Sequence, residues 1–555
     1  MTTGTMNDRS SRSETVVSAV AVFGVSVVAG MWAAGFLTFP RPEDVAYYVG
    51  VARNLVEGRG LVTDAIWSYQ TPPLVFPRPA FEVWLPLPTF LAAGVMAIGG
   101  TTFAAAQLSA IVVAGLMAVL AWRLGLDVAA ERGLPAERAR AIGLGSGLTA
   151  GVCLPLVLAA AEPDSTIPFA ALALAACLLM ARLGRARPSR VRLVGLGVVL
   201  GLAALTRNEV IWLSLAWAVV AWQAAGRIAD GAPGAQTRGR VWLELVAVPG
   251  IVTVAIYTPW AIRDWLTFGS PLPGQALANA LSLDGRDIFA WRDRPTLERY
   301  LAAGLPHLIG LRWTGFVHNA ANLLVLGAPT SLIGLIGLPL AWRLQVLRPV
   351  LLYSVITFMV STLVFPVSST WGTFLHAAGA IHVLIIVSAL WALDGVIERV
   401  RRRRAWTRPV AWIAPLATVA AGLLLTATLL PGQADAARRT AARYAALPIA
   451  LRAAGAVLQP GAPPVITDFP IWLAEATRHP AIALPNEPPD SVLDLAAHFG
   501  GASILVIDRA NGGIWPEILE SGVAGAECFQ ALPLTGPPEG ADALEDVVAY
   551  RISCP

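Results

Sequence analysis

Long apolar runs alternate with short Arg-bearing loops along most of this chain. Runs near 15–39, 101–122, 141–161, 165–181, 191–206, 210–226, 241–260, 320–342, 349–366, 377–397 and 410–430 approach or exceed the length that crosses a bilayer as a helix. The pattern predicts a mostly α, polytopic membrane bundle of about eleven transmembrane helices. The first run follows a polar segment, 1–14, that carries Arg9 and Arg12. It is too long for a removable signal peptide and lacks the small-residue cleavage site, so it reads as a first span with a cytoplasmic N-terminus. The run at 191–206 is barely long enough at about 1.5 Å per residue, which puts Arg207 at or below the outer surface.

The segment Val83–Gly100 decides the parity of every later loop. It is apolar, short and opened by prolines. If it lies in the interface as a juxtamembrane or re-entrant element, Arg concentrates in the inside loops 123–140, 182–192, 227–240, 343–348 and 398–409, as the positive-inside rule requires. The outside regions are then 40–100, 261–319 and the link 366–376, with an extracytoplasmic C-terminus. The organisation expected is a cytoplasmic N-terminus (1–14), a transmembrane domain (15–430) and a small C-terminal α/β domain (431–555). In the last, strand-like runs at Pro464–Asp468, Ala481–Leu484 and Ile504–Asp508 alternate with helical ones at Ile471–Arg478, Ser491–Phe499 and near Pro516–Glu520.

Composition agrees with the pattern. Of 555 residues, 56% are apolar and 14% charged, against about 45–50% and about 25% in soluble domains. The net charge of +4 comes with no Lys, all 40 basic residues being Arg, so the basic pI reflects residue choice and implies no nucleic-acid partner. Four Cys are too few for a disulfide scaffold and lack zinc spacing. Cys153 and Cys177 lie in apolar runs; Cys528 and Cys554 are free to pair if their region is extracytoplasmic.

Acidic residues outside the Arg-rich loops gather at the outer face: Glu43, Asp44, Glu162, Asp164, Glu209 and Asp264, with His382 the main mid-span ionisable group. A transporter is expected to place such groups near the midplane, whereas chemistry on a lipid head group suits one interface. In EDVAYYVGVARNLVEGRG, Val45, Tyr48, Ala52 and Leu55 keep helical spacing, and Gly58 and Gly60 close the run. Acids in a first turn complement the helix dipole. The same pair suits a general base, or a divalent cation that prefers oxygen ligands. Asp164 is placed either to cap a helix from Ser165 or to converge with Glu43 and Asp44. Arg207 needs an anion, either Glu209 or a lipid phosphate that matches its fork. Arg263, among tryptophans, suits interface anchoring or a phosphate, and His376 opens a span at the outer face.

EDVAYYVGVARNLVEGRG, IWSY and WLPLP resemble the first outside loop of polytopic GT-C-type glycosyltransferases, which include the protein mannosyltransferases and the lipid A aminoarabinose transferases. AEPDS, LTRNE, PWAIRDWLTFGSPLP and GTFLHAAGAIHV follow in similar places, so the resemblance covers about 20–430. It implies a sugar carried on a polyprenyl phosphate and transferred with inversion at the outer face of a bacterial-type plasma membrane. The acceptor implied is a lipid, glycan or protein. By that resemblance Glu43 stands where the family's first acid sits, often an Asp, and Asp44 is the second. The catalytic candidates are Glu43, Asp44 and Asp164, with Glu162, Tyr47 and Glu209 in support. Arg207, Arg263 and His376 would offset the charge of the leaving phosphate. The alternative is a flippase or transporter of lipid-linked saccharides.

Overall fold

The computed structural model describes residues 3–185, 188–230, 237–456, 458, 461–535 and 542–554, with side chains from residue 13 onward except at 340. Parts of two Arg-rich loops, 186–187 and 231–236, lie outside the described residues, as do the side chains of Arg9 and Arg12. The first helix, α1 (Thr3–Ala34), leads to α2 (Glu43–Val56), α3 (Leu87–Gly99), α4 (Phe103–Glu131), α5 (Ala136–Val152), α6 (Leu154–Ala161) and α7 (Thr166–Leu183). Next come α8 (Arg190–Ala204), α9 (Val210–Asp230), α10 (Arg238–Phe268), α11 (Ala276–Leu281), α12 (Leu297–Ala302), α13 (Gly304–Val325) and α14 (Thr330–Ala341). Then follow α15 (Arg348–Leu363), α16 (Pro366–Thr370), α17 (Thr373–Ala377), α18 (Gly379–Arg403) and α19 (Ile413–Ala453).

Among the described residues seven helices are long and apolar enough to cross a membrane, or nine if each sharply bent pair is one span. The fold is thus a mostly α polytopic bundle. Two of the eleven apolar runs form helices of only 15 and 16 residues, α8 and α15. The run at 320–342 departs from expectation. It is not one continuous helix: α13 ends at Val325, and the α13–α14 pair is bent by 112°. Gly327 and Pro329 occupy the break, where a proline disfavours helical backbone in the residue before it. α3 is 13 residues long, roughly 20 Å at helical rise, short of a bilayer core of about 30 Å. Its start is pinned where the Leu87 amide donates to the Leu205 carbonyl at 2.9 Å.

Small residues set the helix spacing. A Cβ on Gly197 of α8 would lie 2.7 Å from the Pro249 carbonyl oxygen, and one on Gly201 would lie 2.8 Å from the Ile256 Cβ. α8 and α10 therefore approach through glycine, as apolar helices in lipid commonly do.

The strands are short: β1 (Val62–Thr63), β2 (Ala65–Ile66) and β3 (Arg78–Pro79) in the first outside region, then β4 (Val465–Thr467), β5 (Ala481–Ala483), β6 (Ile504–Asp508), β7 (Phe529–Leu532) and β8 (Val547–Ile552). Three helices separate the later strands: α20 (Pro470–Thr477), α21 (Pro489–His498) and α22 (Trp515–Ser521). The six-stranded sheet has the order β2-β5-β4-β6-β8-β7. β2, β5, β4 and β6 run parallel, and β8 is antiparallel to both of its neighbours. An edge strand of the C-terminal sheet thus comes from the first outside region. α19 runs across residue 430 to Ala453. Cys528 and Cys554 form a disulfide with Cα atoms 4.2 Å apart, while Cys153 and Cys177 are buried thiols.

Candidate active site

The first turn of α2 presents two carboxylates, and helix geometry separates them by about 100°. Asp44 turns to the bundle, where its Oδ2 lies 3.4 Å from His376 Nε2. The other ring nitrogen, Nδ1, lies 3.0 Å from Asp164 Oδ2 and 2.7 Å from the Thr166 hydroxyl. Asp164, just before α7, accepts from the Thr166 amide at 2.7 Å and from its hydroxyl at 3.0 Å. Asp164 thus satisfies a free amide at a helix start and, through His376, is linked to Asp44; Glu43 does not join them. These side chains range from 3% exposed at Asp164 to 14% at His376 and 30% at Asp44, so the network opens to its surroundings on the Asp44 side.

Arg207 enters from the turn between α8 and α9. Its Nε and Nη2 donate to the two oxygens of Glu209 at 3.0 and 2.7 Å, and Nη1 donates to Ser165 Oγ at 2.8 Å. Nη2 also reaches the Thr373 carbonyl at 3.4 Å. Four distant stretches of chain thus meet: the start of α2, the α6–α7 turn, the α8–α9 turn and α17.

The charges bias one another. Burial raises the Asp44 pKa above the usual carboxylate range, against the pull of His376 and Arg207. Burial acts the same way on Asp164, but the charge and hydrogen bond of His376, with the Thr166 bonds, outweigh it and hold Asp164 below its ordinary value. His376 is pushed down by burial and lifted further by Asp164 and Asp44, for a net rise. Burial disfavours the charge on Arg207, and Glu209 more than restores it. Asp164 and His376 are each shifted toward their charged forms, whereas Asp44 is shifted toward its neutral form.

The remaining candidates lie elsewhere. The Glu43 carboxylate accepts from the backbone amides of Ile471 and Trp472 at 3.0 and 3.4 Å, at the start of α20. Burial pushes it up to about 8. The Tyr47 hydroxyl accepts from the Phe81 amide at 2.6 Å. Glu162 faces Arg41, yet burial and Asp164 hold it well above the usual carboxylate range. Arg263 pairs with Asp264 at 2.9 Å and stacks over Trp260 and Phe268. Glu43 and Asp44 thus take different partners, and among the described residues no group of three or more His, Cys, Asp or Glu side chains is arranged to hold a metal ion.

Sequence reasoning missed three participants. Tyr48, placed with the apolar stripe, is buried and sits in the field of Arg207, Asp44 and Asp164. Thr166 was visible as a hydroxyl directly after EPDS. Trp84 comes close to Asp44 only through the way segment 40–100 folds back, which no local pattern records.

No protein-family model matches the chain, and no curated protein matches it significantly. Solved structures do match. ArnT from Cupriavidus metallidurans in the apo state aligns with a TM-score of 0.54 at 14% identity, over 97% of this chain and 98% of that one. The same protein bound to undecaprenyl phosphate aligns at 0.49 and 14% identity, over 97% and 99%. The archaeal oligosaccharyltransferase AglB from Archaeoglobus fulgidus, in complex with an inhibitory peptide and a dolichol-phosphate, aligns at 0.49 and 12% identity, over 98% of this chain and 74% of that one. With nearly the whole length of both chains superposed on apo ArnT, this chain has the GT-C-type fold.

Proposed function

We propose that this chain is a membrane glycosyltransferase that moves a sugar from a polyprenyl-phosphate donor to an acceptor at the outer face of the plasma membrane. The observation that carries the reading is the Asp44–His376–Asp164 network, assembled from residues far apart in sequence at one end of the bundle. ArnT, whose fold the chain shares, has been captured with undecaprenyl phosphate, and a lipid phosphate of that kind is the donor class assigned here. The disulfide supports an extracytoplasmic C-terminal domain, since such bonds persist in oxidising compartments.

In this reading the Asp44 carboxylate takes the proton from the acceptor's hydroxyl or amine as that atom attacks the anomeric carbon. The bond from that carbon to the phosphate oxygen breaks, and the configuration inverts. The departing lipid phosphate keeps the bonding electrons. Positive charge on His376, held by Asp164, and on Arg207, held by Glu209, offsets the charge that grows there. Arg263, already paired and stacked between rings, anchors the end of α10.

The test is transfer by the full chain in liposomes supplied with lipid-linked sugars. Asp44→Asn is expected to lower kcat by about 10²–10⁴, the usual worth of a general base, with folding intact. Unchanged transfer by Asp44→Asn overturns the site. Movement of the lipid-linked sugar between leaflets without a new glycosidic bond overturns the enzyme reading in favour of a translocator. That rival gains little from the cavity beside His382 at the two broken helices. Its volume is about 20 Å3, room for about one water.

A further inference from the structure

Glu43 is adjacent to Asp44 yet spends its carboxylate on another element. It accepts from two amides at the N-terminus of α20, where an oxygen acceptor satisfies free N–H groups. The Trp472 indole, also on α20, donates to the Pro40 carbonyl at 2.9 Å. Ten residues along α2, Arg53 meets Glu475 of α20 at 2.5 Å, with both side chains mostly buried. Between these contacts the Glu475 carboxylate lies against Gly50, where a Cβ would come within 2.1 Å of its Oε1. Beyond α2 the chain enters the C-terminal sheet itself, where Ala65 and Ile66 pair with Ala481 and Ile482. The helix that carries Asp44 is therefore fastened to the C-terminal domain at its start and in its last turn, and the chain that follows it joins the sheet from residue 65.

We infer that Glu43 is a positioning residue: with the Arg53–Glu475 pair it seats α2 on α20, and the C-terminal domain thereby sets where Asp44 stands during transfer. The inference rests on the glycosyl-transfer reading of Asp44. Two backbone amides donate to a single carboxyl oxygen of Glu43, and glutamine keeps both the shape and that accepting oxygen.

The experiment compares Glu43→Gln, Glu43→Ala and Glu475→Ala in the full chain in liposomes. It reads kcat, donor KM, the pH profile and amide exchange over 43–56 and 470–477. Glu43→Gln is expected to keep the wild-type rate and exchange. Glu43→Ala is expected to lower kcat by about 10²-fold, the cost of displacing a reacting group by about 1 Å, with donor KM unchanged and exchange raised in both segments. Glu475→Ala, on the domain side of the seam, shows the same signs with the pH profile intact, and stands in if Glu43→Ala fails to fold. Glu43→Gln as inactive as Asp44→Asn, with protection intact, overturns the inference, because Glu43 would then react directly. Raised exchange with an unchanged rate in Glu43→Ala overturns it as well. A wild-type chain that transfers no sugar overturns the transfer reading and this inference with it. Raised exchange in Glu43→Ala then still separates that failure from failure of the seam.

Discussion

His376 faces a carboxylate on each ring nitrogen, and its proton is worth the most while both are ionised. Burial alone would discharge the ring, but Asp164 and then Asp44 raise its pKa above the ordinary value near 6.5. Its contribution to stability is complete below that value and is lost as pH rises through the raised folded pKa. The Asp164 pKa is depressed, so its contribution is present above about 3.9 and lost as pH falls through the lower folded value. The thermal midpoint of the wild-type chain is therefore expected to decline as pH rises past the ordinary imidazole value and through the raised folded one, while His376→Asn shows no such decline. An identical decline in the variant removes the role of the imidazolium. The rate is expected to rise with pH through the elevated Asp44 pKa and to fall again as His376 discharges, a bell whose alkaline limb disappears in the variant. From sequence alone Glu43 and Asp44 were interchangeable, because adjacent helical residues differ only in direction. Their division of labour depends on what each direction meets.

At the scale of elements, the periodic segments were legible and the joints were not. The α/β alternation in the C-terminal region shows in its hydropathy, yet β2 is a two-residue strand, too short to carry a pattern. Its partner lies more than four hundred residues away. The apolar run at 320–342 likewise reads as continuous, since hydropathy does not register a bend at Gly327 and Pro329. The disulfide belongs to this scale too. It ties the start of β7 to the segment after β8 across a sequence separation of 26. Closing a loop of that size is worth about 3–4 kcal/mol in the chain-entropy account. Cys554→Ser, or a reductant, is expected to lower the unfolding temperature of the C-terminal domain. An unchanged transition on differential scanning means the bond closes no loop that matters to stability.

Across the whole molecule the arrangement is a membrane bundle with its network at one end and a sheet seated on the same outer regions. The Trp84 ring packs at a tilt against Tyr47, with centroids 4.1 Å apart, and against Trp67 at 4.9 Å, and Trp67 meets Phe289 edge-on at 5.3 Å. Segments 40–100 and 261–319 are thereby held together by aromatic packing beside Asp44. This places the C-terminal domain on the same side as the network, so one topology experiment reports on both. A reporter that is active only outside the cytoplasm, fused after the last residue, is expected to be active, and one fused in the 398–409 loop inactive. The reverse pattern requires a different parity for the spans and moves the network to the cytoplasmic face.

The sequence by itself determined that this is a polytopic membrane chain, because burying apolar side chains in lipid leaves a run-length pattern that needs no tertiary context. It also marked the acids and cations at one interface, since ionisable groups are costly in mid-membrane and their positions stand out. Only the tertiary structure decided which of them meet. His376 between Asp44 and Asp164, Glu43 on α20, and a first-region strand in a C-terminal sheet each depend on contacts between segments hundreds of residues apart. Local hydropathy is set by neighbours in the chain, and those contacts are set by neighbours in space.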